Sequence, residues 1–378
     1  MDNQAAKKVG TLTFHIAHNY GAMLQAYALP KAVEALGHRC EIIHYCFPYI
    51  YPWGHVERFS EVLERHGLLG GTLRFIKRFL SGTYDPNLQK NKFEHFIYRT
   101  MPLSKKAYHS ATELNDLDYD AILFGSDQIW NSALTNGIAG EFAGGFSCPE
   151  KTKKIAYAAS CGRSCLSREE KECYYPLLES FSALGVREQG FCSALCADGF
   201  PAKLVLDPTL LLTKCQWQEL IRRKKHQRIR PKKDYLLVYV FDEDPSLYRL
   251  VDAVAEIYDL EVCCIAYKMK DELKKYRVYT DCGPEEFVSL IAGASRVITT
   301  SFHGTVFSLL FEKPFYCVPH PTLHERTDSL LALLDIAHRN CNADTDILAM
   351  EEIDWTRVSE EICRHRTASL NFLKEAIG

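Results

Sequence analysis

Short apolar segments that are rich in β-branched residues alternate with longer segments of helical periodicity, and this alternation constrains the fold most. The opening VGTLTF predicts a strand, the stretch from about Ala22 to Gly37 predicts a helix, and CEIIHY predicts a second strand. Such a β-α-β unit builds parallel sheets. Further strands are predicted at AILFGSD, KIAYAAS, SALGVRE and KLVLDPTLLL.

A second series of the same kind follows, with strands predicted at YLLVYVF, EVCCIAY, YRVYTDC, RVITTS and PFYCVP. At 378 residues the chain is long enough for two domains. We therefore predict an α/β protein with two Rossmann-like domains and a cleft between the carboxyl ends of their strands. The predicted units are residues 1–214 with a helical insertion at about 53–105, residues 234–345, and a C-terminal helix within 346–378 that packs back across the domains.

The charge of the chain argues against nucleic acid as a partner. The formal net charge is −3, whereas nucleic acids select basic surfaces. The basic segment 222–233 lacks interleaved aromatic residues for base stacking, so an exposed helix end and linker is the better interpretation. We also find no signal peptide and no stretch of roughly 18 apolar residues. The expectation is a soluble, cytoplasmic protein with at most peripheral membrane contact.

The fifteen cysteines allow two interpretations. Cys161 and Cys165 are four residues apart, as are Cys192 and Cys196, whereas zinc sites generally use a two-residue gap. Reduced thiols in a reducing compartment are therefore expected. Neither the run 118–120 nor the run 344–346, each with two aspartates, ends a predicted strand, so a metal site is not predicted either.

The segment ITTSFHGTVFSLLFEKPF is the sharpest local signal for a site. A strand ends there, and Ser301, His303 and Gly304 open an apolar helix. The free N–H groups and the positive dipole end of a helix start favour an anion, and an imidazole there can hold phosphate or move a proton. The alternative is that Ser301 only caps the helix and His303 bonds a neighbouring carbonyl group.

The segment GSDQIWN follows another predicted strand and is a candidate sugar site. Asp127, Gln128 and Asn131 can bond hydroxyl groups, while the face of Trp130 can cover the apolar side of a pyranose. The alternative is a local turn with Trp130 buried for packing.

Three further positions are candidates for ligand contacts. Asn19 and Tyr20 follow the first strand in a loop that lacks the spaced glycines of a dinucleotide site. Arg187 follows the strand of the VREQG segment and can hold a carboxylate or phosphate, or form an ordinary surface ion pair. Asp207, which ends another predicted strand, and Arg326, just before a helix, can also be capping residues.

In this order the segments NYGAMLQAYAL, DAILFGSDQIWN, IAYAAS, GVREQG, LDPTLLL and ITTSFHGTVFSLLFEKPF resemble the polysaccharide pyruvyl transferase family. The resemblance runs from about Thr13 to Leu334. It implies a GT-B-like pair of Rossmann-like domains, phosphoenolpyruvate as donor and a glycan or lipid-linked glycan as acceptor. It also implies that Arg187 and His303 contact the donor.

The chain departs from that family at one position. Several members have arginine where this chain has Ser301, so another cation is expected at the donor, and Arg326 is preferred to Lys313 because a lysine at a helix C-terminus already has a dipole partner. We expect His303 to act as general acid and Asp127 to act on the acceptor hydroxyl group. The expected donor-binding residues are Arg187, Ser301, His303, Gly304 and Arg326, and the expected acceptor-binding residues are Asn19, Tyr20, Gln128, Trp130 and Asn131.

Phosphoenolpyruvate would be a co-substrate, and neither a cofactor nor a metal is expected. Two other functions stay open at this point: a GT-B glycosyltransferase that uses a nucleotide sugar, and a catalytically idle member that binds glycans, which Ser301 in place of arginine would fit. The sequence leaves the acceptor sugar, its hydroxyl pair and the oligomeric state open.

Overall fold

The structure is a computed structural model of the 378-residue chain. It describes residues 5–47, 86–222, 229–240, 245–267, 269–319, 324–342 and 344–378. The first part of the predicted helical insertion, 53–85, and part of the predicted basic linker, 223–228, lie outside the described residues.

The first sheet has seven parallel strands in the order β3-β2-β1-β4-β5-β6-β7. The strands with four-residue or longer apolar runs are buried on both faces, as in parallel sheets covered by helices. They span Lys8–Leu12 (β1), Arg39–Tyr45 (β2), Leu103–Tyr108 (β3), Ala121–Phe124 (β4), Lys153–Ala159 (β5), Phe181–Val186 (β6) and Ala202–Leu204 (β7).

The second sheet has five parallel strands in the order β10-β9-β8-β11-β12. They span Tyr235–Tyr239 (β8), Glu261–Ile265 (β9), Arg277–Tyr279 (β10), Arg296–Thr299 (β11) and Phe315–Cys317 (β12). The predicted fold class, α/β with two Rossmann-like parallel sheets, is confirmed.

Helices connect the strands in both halves of the chain. Those of the first half are Tyr20–Ala35 (α1), Pro86–Arg99 (α2), Ser132–Thr135 (α3), Arg168–Leu178 (α4), Gln189–Ala197 (α5), Pro208–Leu211 (α6) and Lys214–Leu220 (α7). The later ones are Pro245–Ile257 (α8), Pro284–Gly293 (α9), Phe302–Leu310 (α10), Glu325–Leu333 (α11) and Trp355–Ile377 (α12). Short 3-10 helices span Ala111–Asp116, Gly140–Ala143, Asp271–Leu273 and Ala337–Arg339.

Two expectations about individual elements were wrong. The strand predicted at KLVLDPTLLL ends at Leu204, and Pro208 then begins the short helix α6 because Asp207 caps it and proline suits the first helical position. The end of the predicted insertion is not helical, since β3 extends the sheet at its edge. Its sequence, LSKKAY, is too polar to be recognised as a strand, and only Ser104 and Tyr108 of it are buried.

One hydrophobic cluster joins the two sheets. It contains Tyr20 and Leu24 of α1 together with Leu237 of β8 and Phe287 of α9. The C-terminal helix α12 lies along the same boundary. Its first turns contribute to this joint cluster, and its last turns pack on the first sheet, where Ser369 Oγ accepts a hydrogen bond from the backbone N–H of Leu206 (3.0 Å). Within the described residues, no helix combines the length and the hydropathy needed to cross a membrane.

Candidate active site

The candidate site lies where the carboxyl ends of the two sheets meet. The first half contributes Asp127 after β4, Arg187 after β6 and Asp207 at the start of α6. The second half contributes His303 from α10 and Arg326 from α11. His303 Nε2 lies 3.7 Å from Asp207 Oδ2, and Arg326 Nη1 lies 3.9 Å from Asp127 Oδ1. The structure thus brings together four predicted site residues and Asp207.

Asp207 is buried at the centre of this cluster. Its Oδ1 accepts hydrogen bonds from the backbone N–H (3.0 Å) and hydroxyl group (2.6 Å) of Thr209. Its Oδ2 accepts hydrogen bonds from Ser126 Oγ (3.2 Å) and Arg187 Nη1 (2.8 Å). Burial raises the pKa of Asp207, but the nearby positive charges of His303 and Arg187 outweigh burial and hold this pKa well below its usual range. Asp207 is therefore a stable anion.

Arg187 is a buried cation with three carboxylate partners. Besides Asp207, its Nη2 donates to Asp127 Oδ1 (3.2 Å) and its Nε lies 3.4 Å from Glu188 Oε1. Only 2% of its side chain is exposed. Burial lowers the pKa of Arg187, but the three carboxylates outweigh it and raise this pKa above its usual range. Arg187 therefore does not form an ordinary surface ion pair.

Arg326 is the second guanidinium group of the site. The ring of Phe302 lies near both guanidinium groups, with its centroid 5.3 Å from Arg187 Cζ and 5.6 Å from Arg326 Cζ. Burial and the charge of Arg187 lower the pKa of Arg326 to about 10, so it is still charged at neutral pH. Its Nε is buried and has no hydrogen-bond partner among the described residues.

Glu188 belongs to the cluster although the sequence analysis did not single it out. Its Oε1 accepts a 2.5 Å hydrogen bond from Ser160 Oγ, and its buried Oε2 has no hydrogen-bond partner within the described segments. Burial raises the pKa of Glu188, and the opposing effects of Arg187 and Ser160 do not cancel that shift. The sequence signal that could have identified Glu188 as a site residue is its position next to Arg187, directly after a predicted buried strand.

His303 is held in the first turn of α10. Ser301 caps this helix, since its Oγ accepts the 3.4 Å hydrogen bond from the backbone N–H of Gly304. The His303 side chain is 8% exposed, and its buried Nε2 has no hydrogen-bond partner in the described part of the chain. A Cβ atom at Gly21 would lie 2.0 Å from His303 Nδ1, so this glycine makes room for the imidazole. Similarly, a Cβ at Gly304 would lie 2.3 Å from Thr299 Oγ1.

The structure does not bring Tyr20 or Trp130 to a surface that a sugar could reach. Trp130 is fully buried and its Nε1 donates to the carbonyl oxygen of Phe142 (3.0 Å). Tyr20 is 1% exposed and stacks on Phe287 with ring centroids 4.7 Å apart. Both side chains are used for packing against aromatic residues that are distant in the sequence: Tyr20 contacts Phe93 and Phe287, and Trp130 contacts Tyr174 and Phe191.

The other predicted acceptor residues have local roles in the structure. Asn19 caps α1, with Oδ1 accepting from the backbone N–H of Ala22 (3.1 Å). Asn131 caps α3 and donates a 2.6 Å hydrogen bond to Gln128 Oε1. Asp127 alone of the GSDQIWN candidates contacts the cations of the site, and its φ of 73° turns the chain there into the left-handed region.

This cluster leaves buried nitrogen atoms available to a ligand. Three carboxylates, from Asp127, Glu188 and Asp207, face two guanidinium groups and an imidazole. Buried N–H donors almost always have partners, so Arg326 Nε and His303 Nε2 call for a ligand or water. Within the described segments, no group of three His, Cys, Asp or Glu side chains is placed to hold a metal ion.

Comparison with solved structures gives similarities at low sequence identity. The UDP-GlcNAc 2-epimerase of Methanocaldococcus jannaschii is 12% identical, with a TM-score of 0.49 over 96% of this chain and 93% of that one. The UDP-GlcNAc 2-epimerase of Neisseria meningitidis is 11% identical, with a TM-score of 0.49 over 98% and 94% of the two chains. The E. coli ADP-heptose LPS heptosyltransferase II is 13% identical, with a TM-score of 0.36 over 96% and 99%.

No curated protein is significantly similar to the chain. A family model described as polysaccharide pyruvyl transferase matches residues 19–321. The matched region includes Asp127, Arg187, Asp207 and His303, and it covers most of both sheets. The chain therefore belongs to the polysaccharide pyruvyl transferase family.

Proposed function

We propose that the protein transfers the pyruvyl group of phosphoenolpyruvate to two hydroxyl groups of a sugar, with release of inorganic phosphate. The observation that carries this proposal is the meeting of Arg187, Arg326 and His303, from both halves of the chain, around buried carboxylates. Family membership supports a transferase that acts on a polysaccharide.

The donor would bind to the cations of this cluster. Guanidinium groups recognise carboxylates and phosphates through paired N–H groups, and Arg326 Nε is a buried donor without a hydrogen-bond partner in the described part of the chain. The start of α10, capped by Ser301, adds a favourable dipole for an anion. Arg326 supplies the cation that the sequence lacks at position 301.

His303 would supply the proton that the reaction requires. In the imidazolium form, Nε2 donates a proton to C3 of phosphoenolpyruvate, the double bond is lost, and positive charge develops at C2. One sugar hydroxyl oxygen bonds to C2 and gives its proton to Asp127, and the bond between C2 and the phosphate oxygen then breaks. The second hydroxyl oxygen closes a cyclic ketal at C2. Asp127 passes the first hydroxyl proton to the departing phosphate, which leaves as hydrogen phosphate, and the proton of the second hydroxyl group restores His303.

We further propose a glycan or lipid-linked oligosaccharide as acceptor and the cytoplasm as the compartment. All fifteen cysteines are free thiols, which fits a reducing environment.

The test is donor binding followed by turnover. Thermal unfolding is measured with phosphoenolpyruvate or UDP-GlcNAc, since a ligand that binds the folded state raises Tm. We expect stabilisation by phosphoenolpyruvate, and phosphate release when a panel of methyl hexopyranosides is added. His303→Gln should lower phosphate release about a hundredfold or more, whereas His95→Gln, at an exposed position of α2, should not. Stabilisation by UDP-GlcNAc and none by phosphoenolpyruvate would overturn the proposal.

A further inference from the structure

Asp207 contacts both the buried guanidinium group of Arg187 and the imidazole of His303. Arg187 belongs to the first half of the chain and His303 to the second, so Asp207 Oδ2 is one of the atoms at which the two halves of the site meet. Its Oδ1 is fixed separately by the backbone N–H and hydroxyl group of Thr209, at 3.0 and 2.6 Å. The carboxylate plane is therefore set by the first half of the chain, and Oδ2 is held in place to face the second half.

The distance between Asp207 and His303 has a specific chemical consequence. His303 Nε2 lies 3.7 Å from Asp207 Oδ2, beside a buried negative charge. The same distance is too long for a hydrogen bond, and Nε2 has no hydrogen-bond partner among the described residues. A proton on Nε2 would thus lie beside a negative charge without being held in a hydrogen bond, and it would be available for transfer.

The other groups near the imidazole do not supply this charge. Gly21 of α1 closes one side of the ring, and the Phe302 ring lies 5.0 Å away in an edge-on orientation. The start of α10 disfavours an imidazolium because its dipole end is positive. Arg187 is also positive, but its Nη1 is paired with the same Asp207 oxygen at 2.8 Å.

We propose that Asp207 is the positioning residue of the transfer reaction: it keeps His303 protonated and aligned with Arg187 without accepting the proton that His303 delivers. This inference rests on the proposed function, in which His303 is the general acid. Asp207 itself touches neither donor nor acceptor in this scheme and acts through His303 and Arg187.

Asp207→Asn tests the proposal, because the amide preserves shape and removes the charge. We expect the basic limb of the kcat pH profile, where the acid loses its proton, to move to lower pH by about one to three units. At pH 8, kcat should fall about tenfold or more, while KM for phosphoenolpyruvate changes less than threefold. A second readout is the NMR titration of the His303 ring in the ligand-free protein, whose midpoint should move in the same direction.

Glu170→Gln is the matched control. Glu170 is also a buried carboxylate in the first half, and it too is bonded to an arginine, a hydroxyl group and a backbone N–H, from Arg163, Ser132 and Ser167. Loss of its charge should leave the pH profile and the His303 titration in place. If Asp207→Asn does not fold, Thr209→Val, which removes the hydroxyl donor to Oδ1 but keeps the backbone N–H and the charge, should loosen the carboxylate and move both readouts in the same direction by a smaller amount.

The outcomes separate this inference from the proposed function. An unchanged pH limb and an unchanged His303 titration in a folded, phosphoenolpyruvate-dependent enzyme would overturn the role of Asp207. A shifted titration in a protein that neither binds phosphoenolpyruvate nor releases phosphate would instead overturn the proposed function and leave the Asp207–His303 interaction supported.

Discussion

Gly21→Ala is a small substitution that should strongly affect the proposed general acid. A Cβ atom at this position would lie 2.0 Å from Nδ1, 2.5 Å from Cε1 and 2.7 Å from Cγ of His303. Ordinary contacts begin at about 3.4 Å, so the ring must withdraw by about 1.4 Å. A displacement of about 1 Å can cost a reaction about a hundredfold. We expect kcat for phosphate release to fall about that much, which corresponds to roughly 2.7 kcal/mol in the activation free energy.

Gly21→Ala should affect the folding stability much less than it affects kcat. Gly21 lies inside α1, where alanine is intrinsically favoured over glycine by about 1 kcal/mol, and that gain offsets part of the cost of moving the ring. The assay is the initial rate of phosphate release at saturating phosphoenolpyruvate, together with Tm from circular dichroism.

A control substitution separates the clash from the general effect of replacing glycine. Gly140→Ala places a Cβ atom at an ordinary 3.6 Å from Leu177 Cδ1, so kcat should stay within about twofold of the wild-type value. A folded Gly21→Ala enzyme with wild-type kcat would show that the imidazole position does not limit the reaction, and the mechanism proposed for His303 would be refuted.

Two further predictions concern charge. Arg326→Ala should abolish most of the Tm increase produced by phosphoenolpyruvate. Lys313→Ala, which removes a lysine with no contact to the cluster among the described residues, should retain that increase. Full activity of Arg326→Ala would show that this arginine does not bind the donor. Asp207 has a lowered pKa in the folded state, so the stability that it contributes is complete above the unfolded value of about 3.9 and is lost as the pH falls towards the folded value. Below pH 4, the free energy of unfolding should therefore fall with pH more steeply in the wild type than in Asp207→Asn, by up to about 1.4 kcal/mol per pH unit, and equal slopes in urea unfolding would contradict the assignment.

The order of strands and helices could be predicted from sequence because it depends on local apolar runs. Fully buried strands such as Ala121–Phe124 and Tyr235–Tyr239 have uninterrupted apolar sequences, which identify them directly. The edge strand Leu103–Tyr108 has two adjacent lysines and was missed because its pairing partner, rather than its composition, makes it a strand.

The site could be predicted only in part. Asp127, Arg187 and His303 were found because they lie within a few residues of the carboxyl ends of predicted strands, where parallel sheets place ligand-binding residues. The roles of Trp130 and Asp207 depend on long-range packing. A tryptophan face looks the same in sequence whether it covers a sugar or fills a core, and an aspartate before proline looks like a simple helix cap whether or not it pairs with an arginine and a histidine.

Because the two sheets share one hydrophobic cluster, the two sides of the cleft cannot shift independently of each other. Because residues such as Leu24 and Phe287 pack into the same core, the spacing between the proton donor of one half and the carboxylates of the other is fixed before any substrate arrives. Replacing an apolar residue of this shared cluster, far from the reacting atoms, would therefore change turnover and folding stability together.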